Sequence, residues 1–534
     1  LAFEKIRQGF SNFEGRILKN NSIPHHNQKV MPAATFTFFE KQNQRTSAMP
    51  ALADTLDPYE PSPGKPWNAR RVAHLYRRLG FGATVHQIQQ GLAMHPSALV
   101  DQLLDEAVAL PLPSVPTPED WTQWTSAQYA NNFGKVEEHR RYLRHRWFSE
   151  MLDESVRAKM TLFWHNHFVT KLYIVGCNAY TWSYFMLLHR YAFGNFREFV
   201  LEMGKNPAML VFLNGNVNEA GEPNENYARE LMELFTMGEG NGYTQADVVE
   251  MARALTGWRA SFNDCTPHYF DPAKFDSNPK TIFGVTDIYD SDSAHNLIFQ
   301  ERPVQVSEFI TGKLYRHFVF QYTDPAIIQG LATTFRDNNW ELLPVIKQLL
   351  KSEHFFEDRF LNARIKSPME VLIPILKMAD AKSAVHVEPI WWDDVTFWMD
   401  KLGQVPFDPP NVAGWPGHRK WVNESTLTNR WKFAGLLATL LSKNDILRDN
   451  LRTLAKTLTN DSNDPAGITS ALIDFFCGQE LDVIHTQAAV EYFKNGIPEG
   501  YFTDGSWNLN WDEAPYQIIA LLQYLAKQPE FQLI

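Results

Sequence analysis

Three cysteines in 534 residues, Cys177, Cys265 and Cys477, are too few and too scattered for a disulfide framework or a clustered thiolate metal site. One pair can bridge and leave one thiol free, but spacing does not choose the pair. Long apolar runs are missing too: stretches such as Ala434–Leu441 fall far short of the roughly eighteen residues needed to cross a bilayer, so the chain is not expected to span a membrane. Excess basic charge is absent, and a net charge of -11 argues against a phosphate-backbone binder, so no nucleic-acid partner is expected. Familiar catalytic signatures are lacking as well. There is no G-x-S-x-G elbow, no P-loop, no H-E-x-x-H and no strand-borne G-x-G-x-x-G, because Gly80-Phe81-Gly82 reads as the C-cap of a helix.

A hydrophobic content of 44% with 21% charged residues can bury a large core. Residues 1–45 hold seven cations against three acids, so this arm carries +4 and the remainder -15. Its aromatics, among them Phe3, Phe10, Phe13 and Phe36, give the arm apolar anchors for lying across the acidic body or a partner. Pro50, Pro58, Pro61, Pro63 and Pro66 mark an extended linker over residues 46–66.

The body, residues 67–534, is dominated by helix-period segments, for example Arg70–Leu79, Lys135–Leu152, Val156–Phe168, Thr181–Ala192, Val304–Phe318, Pro368–Ala379 and Asn429–Leu441. Residues 261–303, rich in Asp, Asn, Ser and Pro, read as a long excursion with at most a small β-hairpin around Tyr269–Phe283. The expected class is mainly α: a large multi-helix globular assembly with long loops, preceded by an extended N-terminal arm.

The richest stretch is GEPNENYARELMELFTMG, Gly221–Gly238. Its helix puts Tyr227, Ala228, Leu231, Met232, Leu234 and Phe235 on one apolar face and Glu225, Arg229 and Glu233 on an opposite ridge. Asn214, Asn216, Asn218, Glu222 and Glu225 fall at positions 1, 3, 5, 9 and 12 of a twelve-residue window, which is calcium-loop spacing. Against calcium, position 6 is Glu219 instead of Gly, Pro223 interrupts the loop, and a cap for the next helix is the plainer reading. The ridge likewise reads as ordinary i, i+4 ion pairs unless another ligand-bearing segment faces it.

The candidate for that segment is Phe163-Trp164-His165-Asn166-His167-Phe168. On a helix its two histidines lie about 200° apart, so both bind one metal only if the helix ends there. The loop Gly403–Gly417, followed by His418 and Trp421, is stiffened by proline and offers Trp415 and Trp421 as a stacking platform or as plugs for the core.

Taken together, Ala73–Gly82, the FWHNHF segment, Gly194–Arg197, Pro207–Leu210, PNENYARELMELFTMG, Ala254–Trp258, Lys366-Ser367-Pro368 and Pro410–Gly417 resemble the bacterial family catalogued as domain of unknown function 1800. The resemblance runs from about Ala73 to the Pro529-Glu530-Phe531 ending. It implies an exported protein, in the periplasm, at the cell surface or outside the cell, and a sulfatase-like secreted protein as partner, but no activity. Where the family pattern has a His-Asp pair after Trp258, this chain has Phe275-Asp276.

Two readings follow. The first is a secreted or cell-surface partner or assembly subunit that docks through residues 1–45. The second is a metal-assisted hydrolase of extracellular glycan or ester substrates. In it Glu230 or Glu233 is the general base, Arg229 the anion stabiliser and His165 or His167 a ligand, with calcium or another divalent metal as cofactor.

Overall fold

The computed structural model describes residues 55–534 apart from Pro118, Phe262 and residues 382–388. The arm of residues 1–45 and the first part of the proline-rich stretch lie outside the described residues. The rest of that stretch lies against the helices. Tyr59 is fully buried, its N–H donates to the Lys351 carbonyl at 2.8 Å, and Lys65 pairs with Glu353 and Glu357.

The body is mainly helical, as the periodicity predicts, with two small two-stranded sheets among the described residues. Trp258–Arg259 pairs with Tyr269–Phe270, and Lys280–Ile282 pairs with Val285–Asp287 around a two-residue turn in which Phe283 and Gly284 both have positive φ. The second half of the expected excursion is not loop: Ser291–Glu301 is a helix, begun by an Asp290–Ser293 capping box. The first half is tied down by a disulfide between Cys177 and Cys265, while Cys477 stays free and buried. Asp276 is held by Arg253 at 2.8 Å; burial works to raise its carboxyl, but Arg253 and Asn278 hold it at about 2.

Helix Val156–His167 is the centre of the core, and ten of its twelve residues are buried. It starts at Ser155, whose φ of 32° is a left-handed outlier. The Ser155 hydroxyl accepts the Phe81 N–H at 2.9 Å and sits where a Cβ on Gly80 would come within 2.6 Å of it, so only glycine allows the two segments to meet. The helix Glu225–Glu230 continues into a π-helical turn, Leu231–Thr236, a change of pitch that a uniform 100° wheel does not anticipate.

Candidate functional site

A cavity of about 550 Å³ opens beside the C-terminal half of helix Val156–His167, within the size range of small-molecule sites. Helix Val156–His167 contributes Lys159, Phe163, Asn166 and His167. Helix Pro303–Phe318 contributes Lys313, Arg316 and His317, and the segment entering helix Pro368–Met378 contributes Arg364, Ser367 and Glu370. The glycine-rich turn after Gly80 supplies Phe81, and the loop of residues 403–421 supplies Trp415, Gly417, His418 and Trp421. Four of the segments that carry the family resemblance therefore meet at one place.

The charges are lopsided: Lys159, Lys313, Arg316 and Arg364 face a single carboxylate, Glu370. Lys159 is buried; its ammonium lies 2.9 Å from Glu370 and donates to the carbonyls of Arg77 and Gly80 at 2.6 and 2.7 Å. Burial pulls it down to about 8. Burial would raise the Glu370 carboxyl, but Arg364 and Lys159 outweigh that and hold it well below the usual range. Its other oxygen accepts the Ser367 N–H at 2.8 Å in the capping box of helix Pro368–Met378. The one acid is thus fully occupied by two cations and a helix N-terminus.

Lys313, also brought down by burial to about 7, donates to His167 Nδ1 at 2.9 Å and to the Leu234 carbonyl at 3.1 Å. His167 Nε2 in turn donates to the Phe235 carbonyl at 3.0 Å. Both carbonyls belong to the π-turn. The helix that carries the acidic ridge therefore serves the cavity with its backbone.

The loop over the cavity is fixed by Asn166, whose Oδ1 accepts the Trp415 N–H at 2.6 Å. Gly414, at φ +82°, lets it do so, since a Cβ there would lie 2.3 Å from that oxygen. Two N–H donors in this wall have no partner among the described residues: Trp415 Nε1, and His418 Nε2, which carries the ring proton because Nδ1 accepts the Arg419 N–H at 2.7 Å. Burial, with Arg419 and Arg364 nearby, brings His418 down to about 4, so the ring is neutral near pH 7. Each unpaired buried donor costs about 1–3 kcal/mol, which an acceptor-bearing ligand offsets.

The residues singled out in the sequence divide. His167, Trp415 and Trp421 line the cavity. His165 lies behind it, fully buried, with Nε2 accepting the Phe407 N–H at 3.1 Å and Nδ1 bonded to the Tyr184 hydroxyl at 2.7 Å. Neither histidine has a free ring nitrogen, so the pair offers no lone pair to a shared metal. Glu225, Arg229 and Glu233 stay outside as mutual ion pairs at 2.9 and 3.4 Å, joined by Gln245. Glu230, half-buried beside them, has its carboxyl raised by burial and by Glu233.

In the asparagine loop Asn214 takes the left-handed conformation and Asn216 donates to the Ala260 carbonyl at 3.2 Å. Asn218 uses both ends of its amide on backbone, accepting from Asn224 and donating to Ala252 at 2.8 Å each. The amides of Asn216 and Asn218 are thus spent on bracing the loop.

The cations of the cavity escaped the sequence reading. Lys159 was detectable as a charge between apolar positions of a buried helix, and Glu370 as the fourth residue of Ser367-Pro368-Met369-Glu370, a capping box. Lys313, Arg316 and Arg364 had no signal, because long-range packing alone brings them together.

One family model, described as a protein of unknown function (DUF1800), matches residues 74–533. No curated protein and no solved structure matches the chain.

Proposed function

The chain belongs to the DUF1800 family, for which no activity is assigned, and from that premise we propose that it is an exported protein whose cavity binds an acidic saccharide. Four cations around one carboxylate, which Lys159 and Arg364 already share, carry this reading. A cation group that cannot be satisfied internally is favoured by an anionic ligand, whether sulfated, phosphorylated or a uronate. Phe163, Trp415 and Trp421 line the cavity, aromatic side chains of the kind that sugar rings stack on. The Cys177–Cys265 disulfide supports export, because such bonds persist in oxidising compartments. Of the two readings of the sequence, this one keeps from the second the glycan of its glycan-or-ester class and moves the site from the Glu225–Glu233 ridge into the cavity.

Calorimetric titration of the full chain with sulfated, phosphorylated and uronate oligosaccharides, against neutral ones of equal length, tests it. The acidic series is expected to bind at least tenfold more tightly and to weaken with salt and in Arg316→Ala. Equal affinity for the neutral series, or no binding of any acidic one, sinks the proposal.

A further inference from the structure

Away from the cavity, helix Phe133–Asp153 and its C-cap place Glu150 and Glu154 one turn apart, facing His189 in the last turn of helix Asn178–Arg190. One ligand atom from each of the three lies within 4.8 Å of the others, and none of the three residues lines the cavity. Among the described residues this is the one grouping of three His, Cys, Asp or Glu side chains so arranged.

The telling observation is at His189. Its side chain is wholly shut off from solvent, yet among the described residues neither ring nitrogen has a well-formed hydrogen bond, and the same holds for Glu150 Oε2. The His189 Nε2 and Glu150 Oε2 atoms lie 3.2 Å apart without the alignment of a hydrogen bond. Two donor atoms so spaced are placed as two ligands of one ion: bonds of about 2.0–2.2 Å at a tetrahedral angle separate neighbouring ligands by roughly 3.3 Å. The Phe185 ring, edge-on at 4.5 Å, holds the imidazole in this orientation.

The outer lone pairs are already used. Arg146 Nε donates to Glu150 Oε1 at 2.7 Å, and Arg157 Nε to Glu154 Oε2 at 3.0 Å. Such outer partners orient ligating carboxylates. They also neutralise them, so a bound dication adds uncompensated charge, and the position left open by three protein ligands falls to hydroxide or another anion.

We infer that Glu150, Glu154 and His189 bind a divalent first-row transition cation, since an imidazole nitrogen with two carboxylates suits zinc or its neighbours better than calcium.

The test is titration of chelator-stripped full chain with Zn²⁺ by calorimetry, and with Co²⁺ by visible absorption. A single ion per chain with a tetrahedral cobalt band is expected. His189→Gln should weaken zinc binding at least tenfold, and so should Glu154→Gln, which alters the half-buried rim and leaves the core intact. Melting temperatures of both variants without metal check that they are folded. Absence of stoichiometric binding, or unchanged affinity in folded Glu154→Gln, overturns the assignment and leaves a buried histidine–carboxylate contact only.

Discussion

Two arrays of opposite charges, one on an outer ridge and one around a cavity, are built from similar residue types and behave differently. On the Glu225–Arg229–Glu233 ridge one guanidinium sits between two carboxylates, all partly exposed, and every charge has a partner and water. Around Glu370 one carboxylate serves Lys159 and Arg364 in the core, while Lys313 and Arg316 have no acid among the cavity walls. Charge density therefore does not mark a site. Imbalance inside a concave site is the better marker, because there an anionic ligand completes the electrostatics.

The sharpest way to break this comparison is Glu370→Gln, which strands buried Lys159 and half-buried Arg364. Urea unfolding should show a loss of about 3–5 kcal/mol, and a loss no larger than that of a ridge variant would put the two arrays on equal footing. Gly414→Ala comes next. Forcing a Cβ against Asn166 at positive φ is expected to cost about 1–3 kcal/mol and to displace Trp415, so acidic-ligand affinity should fall even where the fold persists.

The pH dependence follows from Lys313 at about 7 and Lys159 at about 8. In the folded chain these amines lose their protons below their ordinary value of 10.5, so the unfolded chain binds more protons from pH 7 to 9. Unliganded stability should therefore rise across that window. An anion favours the ammonium forms, so its binding should take up protons and weaken over the same range, by up to about tenfold per pH unit for each full proton taken up. Calorimetry in buffers of different ionisation enthalpy measures this, and an affinity flat from pH 6 to 9 would contradict it. The smallest effect belongs to the ridge: Arg229→Ala should change stability by less than about 1 kcal/mol and leave acidic-ligand affinity unaltered.

Much of the fold was legible because apolar periodicity and caps are local. Thr244 with Asp247 and Ser367 with Glu370 form the capping boxes that their spacing suggests. Helix Ser291–Glu301 was hidden by its polar first turn, since Asp290, Ser291, Asp292 and Ser293 read as loop when only one face meets the core. The site was half legible. Tryptophan, histidine and glycine motifs announced His167, Trp415 and Trp421, but ordinary lysines and arginines carry no local mark of where they will meet. On the ridge, i, i+4 acids and bases look alike in sequence whether they face a ligand or water.

The π-turn at Leu231–Thr236 makes the cavity sensitive to helical pitch as well as to composition. A π-turn holds one residue more than the α-helical path it replaces. Were that turn to tighten to regular α-helical pitch with all its residues retained, the chain would wind about 100° further around the axis and carry the carbonyls of Leu234 and Phe235 with it. Both acceptors that hold His167 and Lys313 would then point elsewhere, with every cavity-lining side chain still present.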